Sequence, residues 1–343
     1  MKKKLALLLS LGLCVSTMTI TASADEEKTY KIGVCQLMEH DALDAAYNGF
    51  VEGLKEAGYE EGKNLEIDMN NAQGDQSNCA TIAAKLKNDG CDLVFAIATP
   101  AAQACANEIT DTPILISAVT DPAASGLVDS NEAPGANITG TSDLTPVASQ
   151  IEMIQKLVPD AKTVGVFYTS SETNSKLQAD MAIEAGEKLG YTMETYTVSQ
   201  SSEIQQVVES MVGKIDALYI PTDNLLASNM PTVSMVANQA KIPTICGESG
   251  MVENGGLITN GINYFDLGVL TGKQAAEILE GADPATMPIE YCPEDSYTYT
   301  VNEDTAAEIG IEIPEEFLQD SEEAETEAST ETAEETETAS AAE

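Results

Sequence analysis

The chain contains no arginine and no tryptophan, and its one histidine is His40. Arginine is the side chain that grips phosphate and carboxylate groups with two parallel hydrogen bonds, so an anionic group bound here must rely on backbone amides, hydroxyls or lysine. The formal net charge is −41, and a field of that sign repels nucleic acid and anionic membrane surfaces. The composition therefore argues against a nucleic-acid partner.

Recognisable catalytic motifs are also missing. The sequence has no Gly-x-Ser-x-Gly elbow, no His-Glu-x-x-His helix, no glycine-rich phosphate loop and no cysteine and histidine cluster with metal-site spacing. A lone loop histidine such as His40 is more often a ligand contact or a capping group than a catalyst. We therefore predict that the protein is not an enzyme and uses no cofactor and no metal. The alternative is a small-molecule enzyme in which His40 acts as general base with Glu39 or Asp44.

Both ends of the chain differ in composition from the part between them. A lysine-rich start, an apolar run from Leu5 to Ile20 and a small-residue cleavage site predict a signal peptide over residues 1–24. Residues 319–343 are mostly Glu, Thr, Ala and Ser, which predicts a disordered acidic tail. The mature protein is expected to be secreted or periplasmic. Lipid attachment at Cys14, which would hold it on the outer face of the cell membrane, is the alternative.

From Tyr30 onward, strand and helix patterns alternate, and the alternation occurs twice. Gly33-Val34 in the first predicted strand is matched by Gly165-Val166, and the helix that follows stops at Gly58 in one half and at Gly190 in the other. The repeat predicts an α/β fold of two Rossmann-like lobes, with parallel sheets joined by hinge crossings. The first lobe is expected to comprise residues 25–141 and about 264–300, and the second lobe residues 142–263 and about 301–318.

Polar clusters follow the apolar strands at equivalent places in the two halves. Ligands of open parallel sheets lie beyond the carboxyl ends of the strands, so these clusters are predicted to face one cleft. Helix-start amides and hydroxyls can hold a carboxylate, and an acidic side chain can accept an ammonium, which together describe an amino acid. The candidates for the carboxylate are Thr99, Thr141, Ser142 and Ser175, those for the ammonium are Asp143, Asp223 and Glu248, and the favoured aromatic contact is Tyr264.

Several of these clusters form motifs that are specific in combination. They include His40-Asp-Ala-Leu-Asp44, Glu61-Gly-Lys-Asn64, Asn71-Ala-Gln-Gly-Asp75, Ala98-Thr-Pro-Ala-Ala-Gln103, Val119-Thr-Asp-Pro122, Asn137-Ile-Thr-Gly-Thr-Ser-Asp143, Ser171-Glu-Thr-Asn-Ser175 and Pro221-Thr-Asp-Asn224. With them, the chain from about Tyr30 to Ile313 resembles the substrate-binding proteins of the tryptophan/tyrosine ABC transporter family. The resemblance implies the type I periplasmic-binding-protein fold and delivery of an aromatic amino acid, or a related small molecule, to a membrane permease. It also implies a pocket built by the loops after Gln36, Ala98, Gly140, Thr169, Pro221 and Cys246.

Two positions depart from the family pattern. His40 is followed by Asp41 where the family tends to have proline, and Asn263 precedes Tyr264 where aspartate is usual. The second change removes a negative charge from the predicted hinge crossing. The role of amine partner accordingly moves towards Asp223 and Glu248.

The sequence therefore predicts the extracytoplasmic substrate-binding component of an ABC importer, which closes on a small zwitterionic ligand. The predicted ligand is an aromatic amino acid, namely tryptophan, tyrosine or phenylalanine, and the predicted partner of the monomer is an ABC permease in the membrane. A ligand-sensing module for a receptor kinase is the alternative. The predicted ligand-binding residues are His40, Leu43, Thr99, Pro100, Thr141, Ser142, Asp143, Thr173, Asn174, Ser175, Thr222, Asp223, Asn224, Gly247, Glu248, Asn263 and Tyr264.

Overall fold

The computed structural model describes residues 28–318. The predicted signal peptide at residues 1–24 and the predicted acidic tail at residues 319–343 lie outside the described residues. Among the helices of residues 28–318, none is both long and apolar enough to pass through a membrane. The six cysteines of this part of the chain are buried, and none of them forms a disulfide.

The first lobe begins with five strands that alternate with three helices. Its central strand β3 is buried at every residue, as expected for a strand covered by helices on both faces, whereas the edge strand β2 is only partly buried. The elements are β1 (Tyr30–Gln36), α1 (Asp41–Glu56), β2 (Leu65–Asn71), α2 (Gln76–Asn88), β3 (Leu93–Ile97), α3 (Thr99–Glu108), β4 (Ile114–Val119) and β5 (Ile138–Ser142).

The second lobe repeats this alternation. Its helices include two short ones, each of which starts directly after a strand end. The elements are α4 (Val147–Leu157), β6 (Thr163–Thr169), α5 (Thr173–Leu189), β7 (Thr192–Val198), α6 (Ile204–Met211), β8 (Ala217–Ile220), α7 (Asn224–Ala227), α8 (Met230–Gln239), β9 (Thr244–Cys246), α9 (Ser249–Glu253) and β10 (Ile258–Gly261).

The end of the chain returns to the first lobe and then to the second. The last elements are α10 (Tyr264–Leu279), β11 (Glu290–Tyr291), β12 (Thr298–Val301) and α11 (Glu303–Ile309). Strand β11 pairs with β5, whereas β12 pairs antiparallel with β10. The chain therefore passes from the first sheet to the second between Tyr291 and Thr298. The strand pattern near Tyr297 did not show which sheet it would join, because pairing partners are set by tertiary contacts.

Two six-stranded sheets result, with the orders β11-β5-β4-β3-β1-β2 and β12-β10-β9-β8-β6-β7. The two orders correspond strand by strand, and all pairs are parallel except β10 with β12. The carboxyl ends of parallel strands meet at one edge of a sheet, so each lobe presents its strand-end loops along one edge. These two edges form the walls of the cleft.

Helix α10 packs on α1 at backbone-to-backbone distance because glycines lie on both helices. A Cβ atom at Gly49 would overlap the backbone oxygen of Phe265, and one at Gly268 would overlap the backbone oxygen of Ala46. Only glycine allows so close an approach. The contact matters for the cleft, since the N-terminal turn of α1 and that of α10 both border it.

Candidate functional site

A narrow cavity lies between the two lobes at their strand ends. Residues from both lobes line it, together with residues of the two crossings between the lobes, the first at residues 140–145 and the second at residues 261–266. They are His40, Ala42, Leu43, Ala118, Asp143, Asn174, Thr222, Asp223, Asn224, Ala227, Glu248 and Tyr264. The structure thus brings together nine of the residues predicted from the sequence, and it adds three alanines that the sequence analysis did not single out.

The remaining predicted residues lie near the cavity without lining it. The Thr141 hydroxyl bonds to the hydroxyls of Ser117 and Thr271 inside the first lobe, and the Ser142 hydroxyl donates to the Thr120 carbonyl oxygen. Both side chains therefore secure the start of the first crossing. Of the other six, Thr99 is buried at the start of α3, and Pro100 lines a neighbouring crevice. On α5, Thr173 is exposed and Ser175 is buried. Gly247 packs on the backbone of Thr222, and Asn263 caps α10.

Asp143 is a buried carboxylate that links the first and second crossings between the lobes. It follows β5 in the first crossing, and its Oδ2 accepts a hydrogen bond of 2.8 Å from the hydroxyl of Tyr264, which begins α10 after the second crossing. Its Oδ1 is buried and has no hydrogen-bond partner. Burial raises the pKa of this carboxyl above its ordinary value. A cationic group placed at Oδ1 would stabilise the ionised form.

Asp223 and Glu248 are buried as well, but their oxygens are already occupied. Asp223 accepts hydrogen bonds from the backbone and hydroxyl of Thr169 and from the Leu226 amide, at 2.6, 2.7 and 2.9 Å. Glu248 accepts from the amides of Gly250 and Met251 at 2.6 and 2.9 Å, and burial raises the pKa of Glu248 to about 7. Each of these carboxylates caps the N-terminus of a short helix.

A third buried carboxylate of the second lobe, Glu172, was not among the predicted site residues. Its Oε2 accepts from the backbone and side-chain amides of Asn224 at 3.2 and 2.5 Å, and its Oε1 accepts from the Leu225 amide at 3.2 Å. Burial and the neighbouring Asp223 raise the pKa of Glu172. Its position inside the motif Ser171-Glu-Thr-Asn-Ser175 was the available signal, but nothing local marks it as an acceptor for a residue 52 positions away.

Three hydrogen bonds join the lobes across the cleft. His40 Nε2 lies 3.2 Å from Asn224 Oδ1, the Asn254 side-chain amide donates to Asp41 at 2.7 Å, and the Gln178 side-chain amide donates to the Thr120 hydroxyl at 3.1 Å. Burial lowers the pKa of His40, which keeps its ring neutral. These contacts close the cleft over the cavity.

Backbone strain borders the cavity on the first-lobe side. Ala98, directly after β3, has a φ of 81°, and Ala118, near the end of β4, has a φ of 55°. Residues with a Cβ atom rarely adopt such angles, and strained backbone tends to cluster at ligand sites. Sequence analysis gave no signal for this, because alanine is not among the residues that favour positive φ angles.

Comparison with known proteins places the chain in a family. The model of the family described as ABC transporter substrate binding protein matches residues 31–325. This chain belongs to that family. The prediction of an ABC transporter substrate-binding protein with the type I periplasmic-binding-protein fold is therefore confirmed, and such proteins work outside the cytoplasm together with a membrane permease.

The names of two relatives of this substrate-binding protein include an amino acid. A tyrosine-binding protein from Clostridioides difficile (strain R20291) is 45% identical over 281 residues, which cover 82% of this chain and 81% of the relative. The structure of the ABC domain in complex with L-Trp from Streptococcus pneumoniae is 42% identical with a TM-score of 0.82, covering 85% of this chain and 98% of the other.

A third relative shows which arrangement the lobes have here. The ligand-free, open structure of a substrate-binding protein with adhesive properties from Clostridium difficile is 47% identical, covering 83% of this chain and 96% of the other, yet its TM-score is only 0.65. The L-Trp complex is slightly less identical and fits much better. The lobes here are therefore arranged more as in the L-Trp complex than as in the ligand-free, open structure, in agreement with the hydrogen bonds across the cleft.

Proposed function

We propose that this chain is the substrate-binding component of an ABC importer that carries an aromatic amino acid in the cavity between its lobes. The observation that carries the proposal is Asp143, a buried carboxylate in the cavity wall with one oxygen left unpaired. A buried charge of this kind is stable when a cation accompanies it. The names of the relatives, a tyrosine-binding protein and an L-Trp complex, support an aromatic amino acid as that cation.

Asp143 receives the ligand ammonium in this proposal. Asp223 and Glu248, which the sequence favoured for this role, already accept hydrogen bonds from backbone amides of their own lobe. An ammonium at either of them would have to replace helix-capping bonds, whereas Asp143 Oδ1 is free. The geometry thus favours Asp143 over the other two candidates named from the sequence.

The ligand carboxylate must be held without arginine. The Thr141 hydroxyl is paired with the hydroxyls of Ser117 and Thr271, and the Ser142 hydroxyl donates to the Thr120 carbonyl oxygen, so neither is free for a ligand. The first-turn amides of a helix lack intrahelical partners and attract negative charge. The strand-end amides that border the cavity are therefore the proposed carboxylate site, and Leu43, with alanines and Tyr264, is the proposed contact for the ring.

The proposal includes no catalytic step, no cofactor and no metal. His40 is the residue on which an enzyme would depend, and its Nε2 is engaged with Asn224 across the closed cleft. The proposed partners are the small-molecule ligand and the membrane permease of the importer, with the protein acting as a monomer and without nucleic acid. The acidic chain, at a net charge of −41, supports the last point.

Titration calorimetry of the mature chain against the twenty common amino acids tests the proposal. We expect at least one aromatic amino acid to bind with a dissociation constant of about 1 μM or below, corresponding to about 8 kcal/mol. We expect aliphatic and acidic amino acids to bind at least about 100-fold more weakly, since they leave the apolar part of the cavity unfilled or bring a second negative charge. Finding no amino acid that binds below millimolar concentration would overturn the proposal.

A further inference from the structure

A second cavity, which we call the side cavity, lies beside the one between the strand ends. Its volume is about 300 Å³, at the small end of the range for pockets that hold organic ligands. Of the described residues that line the two cavities, Ala42 and Tyr264 are common to both. The Tyr264 hydroxyl is bonded to Asp143, which lines only the first cavity. The side cavity is therefore distinct from the proposed amino-acid site, and Tyr264 is part of the wall between them.

The side cavity carries two carboxylates, one from each lobe. Asp41 lies in the first turn of α1 in the first lobe, and Glu253 is the last residue of α9 in the second lobe. Among the described residues that line the side cavity, none is a lysine or a histidine. Burial, and next the nearby Asp41 carboxylate, raises the pKa of Glu253. Two negative charges thus lie close together, and no described residue of the lining offsets them.

Hydroxyl groups of the second sheet form the floor of the side cavity. Thr259 on β10 is paired with Thr300 on β12, and Gly261 is paired with Thr298, so these residues share one face of the sheet. Thr259 Oγ1 is buried and has no hydrogen-bond partner. A Cβ atom at Gly261, which also lines the side cavity, would lie 3.5 Å from this oxygen. The unpaired hydroxyl of Thr259 therefore lies on the face of the sheet that borders the side cavity.

These groups together fit the chemistry of a small amine. Ammonium groups pair with carboxylates, and a hydroxyl such as that of Thr259 accepts one of their N–H donors. A metal ion fits less well, because nowhere in residues 28–318 do three acidic, cysteine or histidine side chains come together to hold one. Two ammonium groups neutralise Asp41 and Glu253, and the volume of the side cavity accommodates a short carbon chain between them.

We propose that the side cavity is a second ligand site, which takes a small aliphatic diamine, and that a diamine bound there favours the closed lobes. Asp41 and Glu253 lie on different lobes, so a rotation that opens the cleft separates them. The closed lobes are joined beside this site by the hydrogen bond of 2.7 Å from the Asn254 side-chain amide to Asp41. In the empty site the like charges oppose closure, whereas an ammonium between them attracts both. The site itself does not depend on the proposed amino-acid ligand.

Titration calorimetry of the mature chain with 1,4-diaminobutane, at an ionic strength of about 20 mM, is the first test. We expect a dissociation constant of about 1 mM or below. 1,4-Butanediol has the same length and no charge, and we expect it not to bind. Binding of the diol as tightly as the diamine would overturn the inference. Absence of diamine binding would overturn it as well, whether or not calcium chloride binds in a parallel titration.

Two substitutions remove the charges of the site one at a time. Glu253→Gln and Asp41→Asn each keep a side-chain oxygen, which in Asp41→Asn still accepts from Asn254. Each should weaken diamine binding by about fivefold. The matched control is Glu277→Gln, an exposed change on α10 outside the side cavity, which reports the general attraction of an acidic protein for cations. It should weaken binding by less than about 1.5-fold. Equal losses in all three variants would overturn the site.

Thr259→Val tests the floor of the side cavity, since valine has nearly the shape of threonine and no hydroxyl. We expect diamine binding to weaken by about threefold. The melting temperature without ligand should not fall, because the substitution removes a buried polar atom that has no partner. Undiminished diamine binding, or a lower melting temperature, would contradict the role given to this hydroxyl.

The effect on closure is measured through the amino-acid ligand, and this step alone rests on the proposed function. A ligand that favours the closed lobes tightens binding of any other ligand that does so. With saturating 1,4-diaminobutane, we expect the preferred aromatic amino acid to bind at least about threefold more tightly, and Glu253→Gln to abolish the gain. Unchanged affinity would overturn the effect on closure. If no amino acid bound, the proposed function would fail, whereas the diamine titrations would still decide the second site.

Discussion

In the first lobe, the strand ends at the cleft carry strained alanines, whereas in the second lobe the corresponding strand ends lead into short helices capped by buried carboxylates. Ala98 and Ala118 have positive φ angles near the ends of β3 and β4. Asp223 and Glu248 follow β8 and β9 and cap α7 and α9. The two sheets have corresponding strand orders. One architecture therefore builds the two walls of a cleft by different physical means, backbone strain on one side and buried acidic caps on the other.

This difference explains why the carboxylate with an unpaired oxygen, Asp143, lies in neither wall of the cleft. The acidic caps of the second lobe are satisfied by their own helix amides, and the strained alanines of the first lobe carry no polar side chain. Asp143 lies in the crossing between the lobes and retains an unpaired oxygen. A cation bound there touches the segment that must bend when the lobes open and close, which couples ligand binding to closure.

The largest expected effect is that of Asp143→Asn, which removes the charge between the two walls. Loss of a buried charge partner for the ammonium should weaken binding of the preferred amino acid by about 100-fold or more, or about 3 kcal/mol. The melting temperature without ligand should not fall, because the buried carboxylate has no cationic partner to lose. Calorimetry and thermal unfolding measure the two quantities.

Asp223→Asn is the matched change in the second wall. It should lower the free energy of unfolding by about 1 kcal/mol, because asparagine keeps one oxygen for the helix cap at Leu226 and loses the second acceptor, which the Thr169 amide uses, with a smaller effect on affinity than Asp143→Asn. If Asp223→Asn weakened binding more than Asp143→Asn did, the assignment of roles to the two carboxylates would have to be reversed.

Two glycine-to-alanine substitutions compare how much an added Cβ atom destabilises each lobe. Gly49→Ala places a Cβ against the backbone of Phe265 in the first lobe and should destabilise by about 3 kcal/mol, since the backbone cannot move aside. Gly186→Ala in the second lobe meets only the flexible side chain of Met193. Its loss is offset by the better helix propensity of alanine, so we expect a change within about 1 kcal/mol. Denaturant unfolding gives both values, and equal losses would contradict the comparison.

Glu248→Gln tests how a buried acidic cap of the second lobe makes the free energy of unfolding depend on pH. Burial raises the pKa of Glu248 from 4.5 to about 7, so between these pH values the folded protein holds a proton that the unfolded chain has released. The folded state binds more protons there, and its free energy of unfolding therefore decreases as the pH rises. Glutamine removes this titration and should reduce the decrease by on the order of 3 kcal/mol. Melting temperatures across this range measure it, and an unaltered pH profile would show that Glu248 is ionised in the folded protein.

The smallest expected effect on stability comes from relieving the backbone strain of the first lobe at Ala98. Ala98→Gly relieves a φ of 81° and should stabilise the protein by about 1 kcal/mol, because glycine adopts this angle without a Cβ clash. Thermal unfolding should show a rise of a few degrees. Ala101→Gly, a buried change in the body of α3, is the control and should destabilise instead. A fall in stability for Ala98→Gly would show that the angle carries no strain.

Much of the fold could be predicted from local patterns. The apolar strand runs, the glycine helix stops at Gly58 and Gly190 and the repetition of both gave the doubled α/β architecture, which the sheet orders show directly. The strand near Tyr297 was predicted without the sheet that it joins, because a short polar strand carries little information about its partner. His40, Asn174 and Asn224 were named as site residues, and each lines the cavity.

The sequence by itself determined where strands end and which polar side chains follow them, since strand and helix periodicities and turn residues are local properties of the chain. It also determined that an anionic group would have to be held without a guanidinium. Only the tertiary structure decided which of those polar atoms are already paired. Asp143 and Asp223 look alike after their strands, yet Asp223 meets the amides of Thr169 and Leu226 while Asp143 keeps one oxygen free. The physical reason is that hydrogen-bond partners come from segments far apart in the chain, and a residue's own neighbours do not show whether its capacity is used.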